Sequence, residues 1–383
     1  MTTLRAIAED AVARPSARAR FGGLARYAGE LTRALIATAP PDCDVELLFA
    51  AHSKAELSEL TARFRGASRI TTASLPRGPL AAAWAAGAKI SVSSGFLHAP
   101  SLLAPLLRPE RTRTTQLVVT IHDTIAWTHP ASVGRTEAEW TRRMAHRAAR
   151  FADAVVVPTH AVADELGDRL RLGDRLRVIP GAVSTELVLP EDPEMRASWL
   201  RLPERYLLAS GSMDPRTGVD ALVQAATLPG FQGVPLLIVG EDEWRGRRIG
   251  EAAMMAGLPE GRVRPLGAVT DADLALLLSR AAAFIAPGLT EGFGLSALEA
   301  LTFGAPLIHS DAPALVEVAG GAGVSVSREE PGSSYPERLA DAVGAVLTGG
   351  VDVDALRVLG RDRAKAFSWR ASGAQVWQLH AEL

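Results

Sequence analysis

Cysteine is nearly absent: Cys43 stands alone in 383 residues, so no disulfide can brace the chain from within. Lysine is almost as rare, at Lys54, Lys89 and Lys365, and arginine carries the positive charge instead. Basic and acidic residues still balance, 41 against 43 for a net charge of -2. That removes the surplus on which nucleic-acid binding depends, so no nucleic-acid partner is expected. No apolar run is long enough to span a bilayer; the nearest, Phe96 to Leu107, is broken by Pro100 and Pro105. The first ten residues carry Glu9 and Asp10 where a leader would be apolar, which predicts a cytoplasmic protein. Several motifs are missing as well. There is no P-loop, no G-x-G-x-x-G dinucleotide fingerprint and no G-x-S-x-G elbow, which argues against an NTPase, a dehydrogenase and a serine hydrolase. Asp271 with Asp273 and Asp352 with Asp354 both open predicted helices and read as caps, so no metal is expected.

What is present is a soluble, globular composition: 48% hydrophobic, 22% charged, mean hydropathy +0.11. The length suits two domains. In the first half, short apolar runs at Leu4 to Ala8, Val45 to Ala50, Ile90 to Val92, Leu117 to Ile121, Ala154 to Val157 and Leu176 to Ile179 alternate with helical patterns. The second half repeats the scheme at Tyr206 to Ala209, Leu236 to Val239, Val263 to Leu266, Ala283 to Ala286, Pro306 to His309 and Val324 to Val326. Such alternation predicts an α/β chain with two doubly wound parallel sheets. Pro190, Pro193 and Pro203, set among acids without a sustained period, mark 186–204 as the expected linker. The expected domains are then 1–185 and 205–367, with a last helix at 368–383.

The most legible stretch is Ala281 to Pro306, AAAFIAPGLTEGFGLSALEALTFGAP. An apolar strand ends at Pro287 and Gly288, and a loop containing Gly292, Phe293 and Gly294 feeds a helix that starts at Leu295. A glycine-rich turn at a helix N-terminus suits a phosphate, because unpaired N–H groups and the positive end of the dipole face it. Glu291 and Glu299 flank that turn. Carboxylates suit hydroxyls rather than phosphates, and the combination describes a nucleotide sugar: diphosphate on the amides, sugar on one acid, ribose on the other.

Glu291, seven residues and Glu299, within EGFGLSALEA, resemble the signature of family-4 retaining glycosyltransferases. That resemblance implies the GT-B plan, two Rossmann-like domains facing a central cleft, the first on the acceptor side and the second binding the donor. It implies that the last helix crosses back to the first domain, with Trp369 and Trp377 as packing anchors between domains. His122, in a His-Asp pair after the LVVTI run, is similar to the family's histidine beside the transferred sugar. FGGLARY resembles its glycine-rich loop, through Gly22 and Gly23. SGSMDPRTG resembles the loop that holds the diphosphate, through Gly211 and Arg216, but Thr217 stands where the family usually has lysine. The expected substitute for that charge is one of Arg245, Arg247 and Arg248, unless the three form only a solvated cluster at a helix start. By the same resemblance the backbone of Leu266 and Gly267 holds the base. His98, in FLHAPSLLAP, also echoes the family, with a packing role left open.

The expected activity is metal-independent, retaining transfer of a hexose to a glycan or lipid-linked acceptor, with no cofactor beyond the nucleotide-sugar co-substrate, for which GDP-mannose is the best guess. His122, Glu291 and Arg216 are the expected catalytic residues. An inactive relic that binds nucleotide sugar or a partner protein is the alternative, suggested by Thr217. Arg142, Arg143, His146, Arg147 and Arg150 offer a basic helix face for peripheral contact with the inner face of a membrane, or simply a solvated surface.

Overall fold

The computed structural model of the chain describes residues 2–11, 23–91, 95–108 and 115–383. The described residues divide into two units, Met1–Ala182 with Ser368–Leu383, and Val183–Phe367.

In the first unit, β1 (Thr2–Ile7), β2 (Cys43–Phe49), β3 (Arg69–Thr72), β4 (Gly95–Ala99), β5 (Thr115–Thr120), β6 (Ala154–Val157) and β7 (Leu176–Val178) form one parallel sheet in the order β3-β2-β1-β4-β5-β6-β7. Its central strands are apolar because helices cover both faces, as parallel sheets require. Leu97, Val119, Val155 and Val157 pack against Trp84 and Met144. Each large aliphatic side chain buried this way contributes roughly 1.5–3 kcal/mol.

Two strands depart from the expected register. Ile90 lies in a loop, where its carbonyl accepts the Trp84 indole N–H at 3.0 Å, and the strand begins five residues later at Gly95. Ile90 is apolar because it packs on the core from the side. β3, RITT, went unanticipated because an edge strand with one neighbour needs little apolar character.

The second unit holds β8 (Leu207–Ser210), β9 (Leu236–Val239), a two-stranded antiparallel hairpin of β10 (Glu243–Trp244) and β11 (Arg247–Arg248), β12 (Val263–Gly267), β13 (Ala283–Ala286), β14 (Leu307–Ser310) and β15 (Val324–Val326). Apart from the hairpin these make a parallel sheet in the order β12-β9-β8-β13-β14-β15. In both sheets the first strand of the unit has the second on one side and the fourth on the other. This is the GT-B plan of two doubly wound sheets, and in each the chain reverses its winding beside the first strand, where such sheets bind ligands.

The stretch 186–204 differs from the expected linker. It lies within the second unit and contains the helix Pro193–Trp199, whose Arg196 reaches Asp273 at 3.0 Å. The prolines that suggested a linker include Pro193, which instead starts that helix. The C-terminal helix Trp369–Glu382 packs inside the first unit: Trp377 donates to the Leu35 carbonyl at 3.0 Å, Ser372 to that of Pro180 at 2.7 Å, and Trp369 meets Tyr27 edge-on at 5.3 Å. Both tryptophans therefore anchor the helix to the rest of the first unit.

Candidate functional site

In the second unit the ends of β8 and β13 meet at the winding reversal. After β8 the chain makes a tight turn, Gly211 to Gly218. Asp214 caps a single 3-10 turn, Pro215–Thr217, its Oδ1 accepting the Arg216 backbone N–H at 3.2 Å while Oδ2 accepts the Arg216 side-chain Nε–H at 3.1 Å. The Thr217 hydroxyl lies 2.6 Å from the Ser212 carbonyl and 2.8 Å from that of Asp214, and so ties the turn shut. Gly218 has φ +70°, and a Cβ there would stand 2.0 Å from the Pro287 carbonyl oxygen. Only glycine lets this turn lie directly on the loop after β13.

That loop is braced on several sides. The Leu289 N–H donates to the Arg216 carbonyl at 2.7 Å. Tyr335 donates to the Pro287 carbonyl at 2.9 Å, Ser310 to that of Gly288, and Arg328 to that of Leu289 while also pairing with Asp311 at 2.6 Å. The half-buried Glu291 folds back over Gly288, close enough that a Cβ on the glycine would meet its Oε1 at 3.1 Å. Gly294, at φ +81°, begins the helix Leu295–Phe303, which has no side-chain cap and no acid in its first turn. Its first N–H groups have no helical acceptor, and they carry the positive end of the dipole. Glu299, one turn further, is buried at 4% exposure. Phe293 packs edge-on against Phe367 at 5.7 Å, so its ring holds the loop in shape. At the end of β12, the Gly267 carbonyl accepts the Gly240 N–H at 3.1 Å, and Leu266 beside it is half-buried. The structure therefore brings Gly211, Arg216, Thr217, Glu291, Gly292, Gly294, Leu295 and Glu299 onto two touching loops and one helix, with Leu266 and Gly267 two strands away in the same sheet.

The arginines expected to replace a lysine at 217 are otherwise engaged. Arg247 grips Asp220 with bonds of 2.6 and 2.8 Å, Arg248 pairs with Asp242 at 2.9 Å, and Arg245 stacks on Trp244 at 4.9 Å. A guanidinium held by a carboxylate of its own hairpin or a neighbouring helix is not presented to a diphosphate, so the expected compensation is not what this geometry offers.

The first unit fills the equivalent reversal, between β1 and β4, differently. Asp10, just past β1, accepts from Arg77 at 2.7 and 3.2 Å and from the Ser101 hydroxyl. Its neighbour Glu9 accepts the Ala50 N–H and meets His52 Nε2, both at 2.9 Å. His122, after β5, lies 2.6 Å through Nε2 from the Pro100 carbonyl. Because a carbonyl only accepts, Nε2 carries the proton and Nδ1 keeps a lone pair. Burial holds the His122 pKa below its ordinary value, partly offset by the Pro100 carbonyl and the carboxylates of Asp123 and Asp10. The ring is thus neutral at pH 7, an acceptor for a hydroxyl. Sequence reasoning passed over Asp10, Arg77 and Ser101 because they are separated by 67 and 91 positions. Asp214, two residues from Arg216, carried a usable signal: an acid before a proline is a helix-cap pattern.

Gly23 opens the helix Gly23–Ala37, and Gly22 lies outside the described residues. His98 is fully buried inside β4, its ring 5.6 Å from that of His380, so it serves packing. On the helix Arg135–Phe151, Arg142 and Arg147 donate to the Ala138 and Leu106 carbonyls, whereas Arg143, His146 and Arg150 are exposed.

Residues 204–349 match the family Glycosyl transferases group 1, and residues 21–187 match Glycosyltransferase Family 4. The chain is 28% identical over 299 residues to O-antigen chain mannosyltransferase B of Escherichia coli, covering 73% of this chain and 72% of that protein. It is 30% identical over 278 residues to the MMP alpha-(1->4)-mannosyltransferase of Mycolicibacterium hassiacum, covering 68% and 64%. Among solved structures it resembles sucrose-phosphate synthase of Thermosynechococcus elongatus, with TM-score 0.69 and 21% identity over 100% of this chain and 99% of that one. It likewise resembles Anabaena HepE in complex with UDP-glucose, with TM-score 0.69 and 19% identity over the whole of both chains.

Proposed function

Because the chain belongs to glycosyltransferase family 4, we propose that it is a retaining, metal-independent mannosyltransferase that moves mannose from GDP-mannose to a glycan or lipid-linked acceptor. The observation that carries this reading is the 2.7 Å bond from the Leu289 N–H to the Arg216 carbonyl. It clips the loop of Glu291 and the uncapped helix start to the loop of Arg216, so that positive charge and carboxylates converge. In this reading the first N–H groups of the helix Leu295–Phe303 and the Arg216 guanidinium hold the diphosphate. Glu299 accepts from the ribose hydroxyls, Glu291 from the transferred sugar, and the backbone of Leu266 and Gly267 lies against the base. The first unit takes the acceptor side, with His122 Nδ1 accepting from a sugar hydroxyl.

In the transfer step the bond from the anomeric carbon to the diphosphate breaks, and the acceptor oxygen attacks from the face the diphosphate leaves. The departing diphosphate oxygen takes the acceptor proton. No carboxylate acts as nucleophile. Arg216 and the helix dipole stabilise the charge that grows on the leaving group, a role for which preorganised donors are effective. Metal independence is proposed because this positive end already faces the phosphates, and because Asp273 is held by Thr270 and Arg196 while Asp352 caps Ala355. Peripheral membrane contact, if the acceptor is a lipid, falls to Arg143, His146 and Arg150. The relic alternative rested on Thr217, whose hydroxyl closes the very turn that presents Arg216. A donor screen by thermal shift tests the proposal: GDP-mannose is expected to raise the melting temperature more than UDP-glucose and other nucleotide sugars, and to be hydrolysed slowly in the presence of EDTA. No shift with any nucleotide sugar, or hydrolysis restored only by Mg or Mn, would overturn it.

A further inference from the structure

Arg216 has five N–H donors in a planar fork, and the structure commits one of them. Its Nε–H is bound to Asp214 Oδ2 at 3.1 Å, and among the described residues neither terminal nitrogen has a protein acceptor. Asp214 is itself fixed: its side chain is 7% exposed, against 28% for Arg216, and its Oδ1 caps the turn through the Arg216 backbone N–H at 3.2 Å. One carboxylate thus fastens both the backbone and the side chain of the same arginine. The Arg216 carbonyl, in turn, is bonded to Leu289 on the loop of Glu291.

From this geometry we infer that Asp214 is a positioning residue, which locks the Arg216 guanidinium so that its two terminal amino groups face the donor diphosphate as a pair. The inference rests on the donor reading above and adds a residue that acts only through Arg216. An arginine on a flexible stem loses rotamer freedom when it grips a phosphate. Holding Nε beforehand removes much of that loss and leaves the bidentate edge exposed. The carboxylate also keeps the charge of the arginine partly balanced until the diphosphate arrives.

A double-mutant cycle on full-length enzyme separates positioning from mere turn stability. Asp214→Asn keeps an oxygen to cap the turn but loses the negative charge that holds Nε. With GDP-mannose as the probe, Arg216→Ala is expected to slow donor hydrolysis about 100-fold, and Asp214→Asn about 10-fold with an unchanged melting temperature. In the Arg216→Ala background, Asp214→Asn should then change the rate by less than about twofold, since its target is gone. Asp214→Ser, which caps but cannot reach the guanidinium, serves if the asparagine variant folds poorly. Additive losses in the cycle, or wild-type hydrolysis in Asp214→Asn, would overturn the positioning role while leaving the donor reading intact. Loss of folding in both Asp214 variants would make the residue a structural cap and overturn it too. If Arg216→Ala alone hydrolyses donor at the wild-type rate, the donor reading fails and the positioning role falls with it.

Discussion

The two sheets share a strand order yet furnish their reversal points in opposite ways. Beside β1, charged and polar groups satisfy one another: Asp10 accepts from Arg77 and Ser101, Glu9 accepts the Ala50 backbone N–H and pairs with His52, and His122 donates to the Pro100 carbonyl. Beside β8, glycines let backbone lie on backbone, and the chemistry faces outward from Arg216 and from an uncapped helix start. A closed polar network gives a rigid floor on which one ring nitrogen remains available. A close-packed backbone floor leaves several donors available for an anionic ligand. The strand order supplies the crevice in both cases, and the residue types after each strand decide what it can bind.

The largest effect that separates the two regions should come from Glu291→Ala, which is expected to slow transfer by about 100- to 1,000-fold while calorimetry finds bare GDP bound as in the wild type. Equal losses in GDP affinity would move Glu291 from the sugar to the nucleotide. Next comes Gly218→Ala. A Cβ 2.0 Å from the Pro287 oxygen at positive φ should cost roughly 2 to 4 kcal/mol of stability, read by urea denaturation, and among the described residues no comparable glycine contact underlies His122.

The first unit should instead show its character in acid. His98 and His380 are buried against each other; desolvation, reinforced by His380, holds His98 well below its ordinary pKa, and desolvation pushes His380 down to about 4. The unfolded chain therefore binds protons that the folded one refuses. Stability is full above the unfolded value near 6.5 and falls as pH drops from there toward about 4. Urea midpoints measured across that window should decline, and His380→Gln should flatten the decline; an unchanged slope would assign it elsewhere. Glu299→Ala should weaken GDP and GDP-mannose alike, by roughly 1 to 3 kcal/mol, and calorimetry that found GDP binding unaltered would remove the ribose role. Smallest of all are Arg247→Ala and Arg248→Ala, whose exposed pairs with Asp220 and Asp242 predict changes in GDP affinity below about twofold. A tenfold loss in either would revive that hairpin as a phosphate site.

Much of the second unit was legible because its strands are short apolar runs between turn residues, and because the glycine-rich loop, both glutamates and the helix start fall within 26 consecutive residues. The first unit was harder. Its reversal point is assembled from residues far apart in the chain, and each of Asp10, Arg77 and Ser101 taken singly reads as an ordinary surface residue. β4 was misplaced since His98 interrupts the apolar run that marks a buried strand, and nothing local says that its partner is His380 from the far end of the chain. Thr217 misled in another way. Read as a missing charge it suggested decay or compensation, whereas its hydroxyl is a fastener between two carbonyls, a role visible only once the turn has a shape.

The clip between Leu289 and Arg216 joins main chain to main chain, so replacing either side chain leaves it standing. Residues around it can therefore change without uncoupling the loop of Glu291 from the loop of Arg216. A scan of side chains would pass over this joint without registering it. The joint is vulnerable to removal of the donor hydrogen itself: Leu289→Pro would sever it, so proline there should be far more damaging than alanine.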